Sequence, residues 1–364
     1  MNAYDFTISL ILAFLASLVA TPGVAWLAAR FGVLDRPNGE RKLHKRSMPL
    51  LGGVAIFVSF ALLVWLYSTG NGGLLGDTIR MKNIIGILVG ALLLVVGGAL
   101  DDKYNLKPHF QIIAPIAAVL AIIASGIGID WVSNPLGEGL VYLNQHETIL
   151  FWWQGIAYKI TPLADMITVV WLLCMIYTTK VLDGLDGLVS GITVISSIFI
   201  FLIALNKGDI AQPEVALLAM IVAGVFAGFL VFNFNPAKIF LGEAGSTLAG
   251  FFLGVMSIVS GSKIGITLML MSIPVLDLLW TLIRRRIKFS SADRKHLHFR
   301  LLDAGLSMRQ AVLLLYAITL VFGILVYQLQ DYGAGMVFMG LLALIVFMLI
   351  FAYIYKKTKE RGLA

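Results

Sequence analysis

Continuously apolar stretches of about 20 residues recur eleven times along this chain, and each is long enough for a helix to cross the hydrocarbon core of a bilayer. They lie near 5–29, 49–68, 82–100, 109–126, 162–180, 185–206, 213–232, 245–260, 264–283, 308–328 and 334–355. None alternates apolar with polar as a barrel strand would, so the backbone groups in lipid must be satisfied within helices. With 59% hydrophobic and 13% charged residues, the chain has more apolar surface than a water-soluble core can hide. The expected fold is an all-α integral membrane protein of about eleven transmembrane helices, forming a single polytopic domain over 1–364. Phe6–Trp26 has no basic stretch before it and reads as a first membrane helix rather than a cleaved leader. The single cysteine, Cys174, excludes an internal disulfide framework.

The charge is unevenly placed. Of the 27 Lys and Arg, 22 fall in the segments on one side of this helix count, leaving Arg80, Lys82, Lys159, Lys207 and Lys263 on the other. The positive-inside rule makes the richer side cytoplasmic, with the N-terminus outside, the C-terminus inside, and the chain in the cell membrane. Residues 127–161 are the longest outer segment. Asn134-Pro135, Gly137 and Gly139 suggest a hairpin or re-entrant piece there, and Phe151, Trp152 and Trp153 an interfacial aromatic anchor.

Ionisable groups beside a bilayer are costly, so their clustering carries information. The acidic and histidine motifs all fall in loops assigned to the cytoplasmic side, near 30–48, 101–108, 180–186, 233–245 and 284–308. Asp101-Asp102 closes the third helix, where paired carboxylates suit a hard cation or a base, or merely end the helix in solvent. Asp183-Gly-Leu-Asp186-Gly187 sets two carboxylates three residues apart, either as ligands or as an acidic first turn. Gly242-Glu243-Ala-Gly-Ser-Thr247 opens a helix and could take a phosphate on its N–H groups and a cation on Glu243. Asn233 and Asn235 precede it. His296-Leu-His298 beside Arg294, Lys295 and Arg300 forms a cationic loop that favours an anion, or lipid headgroups. Lys42 and His44, in the basic run Arg41–Gly53, and Lys107 are further candidates for phosphate. Asp277 lies inside the ninth helix and either faces the site or pairs within the bundle. Hard-cation ligands and phosphate-binding cations on one face suit phosphoryl transfer, and point the net charge of +7 toward an anionic substrate and membrane lipids rather than nucleic acid.

In motif order, the chain resembles the polyprenyl-phosphate N-acetylhexosamine-1-phosphate transferases, the glycosyltransferase family 4 group that includes WecA, TagO and MraY. The resemblance rests on Arg41–Gly53 with its Pro-x-x-Gly-Gly ending, Asp101-Asp102, Asp183–Gly187, Asn233 with Pro236–Ser246, and His296–His298. It implies transfer of N-acetylhexosamine 1-phosphate, foremost GlcNAc 1-phosphate, from a UDP-sugar to undecaprenyl or another polyprenyl phosphate. UMP is released and a cell-envelope glycan begins. By this resemblance Mg²⁺, or Mn²⁺ in its place, sits on Glu243, Asp102 and Asp101. Asp101, Asp102 and Asp183 act in catalysis. Lys42, His44, Lys107, Asp186, Asn233, Asp277, His296, His298 and Arg300 line the substrate. Three positions depart from the family pattern: Glu243 stands for Asp, Lys180 for Asn and Phe299 for His. The basic loop and the His-Leu-His tract lean toward the WecA/TagO branch over an MraY-type phospho-N-acetylmuramoyl-pentapeptide transferase. An ion-coupled transporter would also carry intramembrane acids, though nearer the midplane. A homodimer through Gly224-x-x-x-Gly228 competes with packing inside one chain.

Overall fold

The computed structural model describes residues 3–37, 46–69, 73–133, 139–153, 156–205, 211–261, 264–284, 296–329 and 333–360. Helix α1 (Ala3–Arg30) leads into a short ladder of β1 (Leu34–Asp35) and β2 (Met48–Pro49). Then come α2 (Gly52–Ser68), α3 (Met81–Tyr104), α4 (Pro108–Gln111) and α5 (Ile113–Ala124). Two antiparallel hairpins follow, β3 (Trp131–Ser133) with β4 (Leu140–Tyr142) and β5 (Thr148–Trp153) with β6 (Ile156–Ile160). The rest is α6 (Pro162–Leu182), α7 (Leu188–Leu205), α8 (Pro213–Asn233), α9 (Gly242–Val259), α10 (Ile264–Leu270), α11 (Ser272–Arg284), α12 (Leu297–Asp303), α13 (Met308–Leu329) and α14 (Gly333–Glu360).

The protein is a multi-pass membrane helix bundle. Among the described residues, seven helices, α1, α3, α6, α7, α8, α9 and α13, are long and apolar enough to cross a bilayer, and the bent pair α10–α11, taken as one span, makes an eighth. The expected spans at 49–68 and 109–126 fall on shorter apolar helices, and that at 334–355 falls within α14. One expected helix is sharply bent and another is interrupted at a single residue, each for the same reason. Proline lacks the N–H that would bond the carbonyl four residues back, and its ring crowds that carbonyl. Pro274 stands four residues after Leu270, and α10 and α11 meet there at 83°. Pro115 stands four residues after Gln111, where α4 gives way to α5. The segment expected to hold a hairpin or re-entrant piece holds two hairpins, and Trp152 on β5 is exposed.

Burial orders the bundle. The spanning window of α9 is 89% buried and that of α8 78%, against 28% for α1. α9 can be central because its small residues let neighbours approach where no hydrophobic drive exists between helices in lipid. A Cβ on Gly250 would stand 2.2 Å from the Met175 carbonyl of α6. Gly224 and Gly228 of α8 face α1 in the same way, with Cβ positions 2.5 Å and 2.3 Å from the Leu10 and Phe14 carbonyls. That small-residue pair therefore packs within one chain. Buried hydroxyls on Ser59, Thr179, Thr193 and Thr247 donate to carbonyls four residues back, which satisfies them inside the bundle. Tyr4, Ile8, Leu15, Val19 and Trp26 of α1 stay exposed, as a lipid-facing surface would be.

Candidate active site

The acidic motifs meet where α3 and α6 end and α9 begins. Asp102, on the last turn of α3, accepts the Glu243 N–H through Oδ1 at 3.0 Å, so a carboxylate from one helix caps the first turn of another. The approach needs glycine. Gly242 has φ +71°, and a Cβ there would lie 2.4 Å from Asp102 Oδ2. The other oxygen, Asp102 Oδ2, is buried with no hydrogen-bond partner among the described residues. A buried acceptor left unmade is costly, so this atom asks for an occupant.

The Pro-x-x-Gly-Gly ending works as a clamp on this corner. Phe240 N–H donates to the Pro49 carbonyl at 2.9 Å, Gly52 N–H to Phe240 at 3.2 Å and Gly53 N–H to Leu241 at 3.0 Å. A Cβ on Gly53 would stand 2.4 Å from Gly245 N, and one on Gly98 of α3 would stand 2.3 Å from Ala244 N. The start of α9 is thus gripped between α2 and α3.

Glu243 accepts an ion pair from Lys180 Nζ at 2.5 Å. Lys180 also donates to Gln111 Oε1 at 3.2 Å, and Gln111 Nε2 donates to Asp101 Oδ1 at 3.0 Å. Asp101 takes a further bond from Leu106 N–H at 2.8 Å, which shapes the turn that Lys107 ends at the exposed rim. Asp183 follows α6 with its side chain accessible in a recess otherwise ringed by protein. Desolvation there, then the carboxylates of Asp102, Glu243 and Asp186, push its carboxyl up to about 8. Asp186 is tied back, accepting from Asn235 Nδ2 at 2.8 Å and Ala237 N–H at 3.1 Å.

The histidines come over the same loop from the far end of the chain. A Cβ on Gly184 would stand 2.2 Å from His298 Nε2, so the Asp183–Gly187 loop and the His tract are in contact. Asp277 orients the pair: Oδ2 meets His296 Nδ1 at 3.0 Å, and Oδ1 accepts the Leu297 N–H at 3.0 Å. The two imidazoles are nearly parallel, 5.9 Å apart. Both ring nitrogens of His298 are buried without a partner among the described residues. Burial pushes that imidazole down to about 4, with Asp277 opposing the shift and His296 adding to it.

Asn233 is buried at the end of α8. Its Oδ1 accepts from Ser190 at 2.8 Å and its Nδ2 donates to the Ile239 carbonyl at 3.0 Å, pinning α7 to the turn before α9. Arg300 lies 4.5 Å over the Phe351 ring of α14. Lys42 and His44 lie outside the described residues. Gln111 escaped the sequence reading, since a lone amide in a broken helix carries no signal of its own. Among the described residues, no three His, Cys, Asp or Glu side chains stand close enough to enclose an ion.

This arrangement defines a class: a membrane-embedded protein whose acidic and imidazole groups gather at one end of an apolar bundle. The glycosyl transferase family 4 profile matches residues 84–261. A probable undecaprenyl-phosphate N-acetylglucosaminyl 1-phosphate transferase of Bacillus subtilis is 29% identical, covering 97% of this chain and 93% of that protein. A decaprenyl-phosphate N-acetylglucosaminephosphotransferase of Mycolicibacterium smegmatis is 30% identical over 82% of this chain and 75% of its own length. An undecaprenyl-phosphate alpha-N-acetylglucosaminyl 1-phosphate transferase of Haemophilus influenzae is 29% identical, covering 95% and 91%. The chain belongs to glycosyl transferase family 4.

Proposed function

We propose that this protein transfers N-acetylglucosamine 1-phosphate from UDP-GlcNAc to a polyprenyl phosphate at the cytoplasmic face of the membrane, releasing UMP. The observation that carries this reading is the convergence of Asp102, Asp183 and Glu243, from three separate motifs, at one end of an apolar bundle. Relatives named for this transfer align with most of the chain. A water-soluble nucleotide sugar and a lipid-borne phosphate can meet only at such a border.

The residues fit a hard divalent cation of the Mg²⁺ kind. Such an ion is commonly held by one or two carboxylates and completed by water and substrate phosphates, without an all-protein cage. Asp102, with its unpartnered buried oxygen, and Glu243 would be the donors. A bound cation would offset the charge of the donor's diphosphate. Asp183, on the loop beside these carboxylates, is placed to take the proton of the incoming lipid phosphate. His296, held by Asp277, would meet the donor phosphates beside the Asp183–Gly187 loop, and His298 packs against Gly184 of that loop. Asn233 and Asp186 position that loop and the turn before α9.

An ion-coupled transporter is disfavoured because these carboxylates stand at helix ends; Asp277, within α11, serves His296. The test is UMP release from membranes containing the protein, given undecaprenyl phosphate, Mg²⁺ and UDP-GlcNAc. Mg²⁺-dependent release is expected. Silence with UDP-GlcNAc, UDP-GalNAc and the muramoyl-pentapeptide donor alike, in folded protein, contradicts the reading.

A further inference from the structure

Lys180 stands where a cation has unusual leverage. Five carboxylates gather at this corner: Asp101, Asp102, Asp183, Asp186 and Glu243. Among the described residues Lys180 is the cation paired with them. It reaches from the last turn of α6 to the first turn of α9, 2.5 Å from Glu243 Oε1, and through Gln111 its bonds run on to Asp101. It also lies 5.6 Å over the Tyr177 ring, one turn back on its own helix. Its side chain is 23% exposed and that of Glu243 16%, so both remain reachable from the recess. The Glu243 backbone N–H is already bound to Asp102, whose other oxygen is unpartnered. An ammonium and a divalent cation repel at such range, so Lys180 on Glu243 Oε1 opposes the binding of a second cation by the same carboxylate. The lysine side chain is a flexible four-carbon stem carrying a point charge, free to re-aim where a planar guanidinium would not be.

We propose that Lys180 is a tethered counter-cation that competes with the divalent cation for Glu243 and, once displaced, turns to the donor's diphosphate. The proposal rests on the phosphotransferase reading above. Cation binding is held weak until the donor supplies negative charge to receive Lys180, so cation and nucleotide sugar bind cooperatively. Lys180 is therefore a substrate-contacting residue as well as the keeper of Glu243.

The test uses the full chain in detergent, with Mn²⁺ as probe and the free-ion paramagnetic resonance signal as readout. Lys180→Met removes the charge at similar length, and Lys180→Gln does so with a polar end should the first not fold. Either folded variant should bind Mn²⁺ about tenfold more tightly than wild type without donor. UDP-GlcNAc should tighten Mn²⁺ binding in wild type and much less in the variant. At saturating Mg²⁺ the variant's KM for UDP-GlcNAc should rise about tenfold, with kcat changed less. Lys180→Arg, which keeps the charge, should stay near wild-type Mn²⁺ affinity. Equal or weaker Mn²⁺ binding in a folded Lys180→Met or Lys180→Gln protein overturns this inference alone. Mn²⁺ binding to neither wild type nor variant overturns the cation-site reading and this inference with it.

Discussion

Two lysine–glutamate pairs of nearly equal length sit at opposite ends of the bundle. Lys180 meets Glu243 at 2.5 Å and Lys159 meets Glu147 at 2.6 Å. The first joins α6 to α9, with side chains 23% and 16% exposed. The second lies on the hairpin end near Lys82 and Arg80, with side chains 42% and 46% exposed. Water screens the outer pair, so it holds a loop and little else. The inner pair stands among other carboxylates in poor solvent, where charges are felt across the whole cluster. Bond length says nothing of this difference; company and solvation decide it.

The comparison breaks most sharply at Asp102. Asp102→Asn keeps an acceptor for the Glu243 N–H but loses the carboxylate charge, so UMP release should fall at least about 100-fold while the protein melts near the wild-type temperature. A variant with half the activity would place the chemistry elsewhere. Asp183→Asn should cost about 10-fold to 100-fold, and should also remove the rise in rate with pH that follows deprotonation of Asp183 in the wild type. A pH profile identical in wild type and variant would strip Asp183 of the proton-transfer role. His298 gives a smaller, acid-side effect. Its folded-state value of about 4 lies below the usual 6.5, so the stability it contributes is complete above about 6.5 and is lost as the pH falls toward 4. The melting temperature should drop over that window, and less steeply in His298→Gln. At the outer end, Glu147→Gln should change stability by less than about 0.5 kcal/mol and leave UMP release unaltered.

Much of this was legible in the sequence because lipid imposes simple rules. Long apolar runs become helices, and all eleven expected runs fall on helical segments. The uneven charge separated two ends that the contacts keep apart: Arg80, Lys82 and Lys159 share one, and Lys180 sits with the carboxylates at the other. The breaks at Pro115 and Pro274 were written there too, but an unbroken apolar run hides them, since hydropathy does not register a missing N–H. What the sequence could not display was pairing at a distance. Lys180 and Glu243 each stood out as a departure from the family pattern, and opposite charges departing together were a hint; that they touch is decided by how tightly Gly250 lets α9 approach α6. The bonds of Asn233 were hidden in the same way: its amide meets Ser190 and the Ile239 carbonyl, partners that its motif does not name.

Phosphoryl transfer onto a membrane lipid is proposed for the corner where Asp102 meets Glu243. It is tested most directly by mass spectrometry of the lipid product from purified protein given undecaprenyl phosphate, UDP-GlcNAc and Mg²⁺. Undecaprenyl diphosphate N-acetylglucosamine is expected from the wild type, and none above background from Asp102→Asn. The same product at the same rate from the folded variant would contradict it.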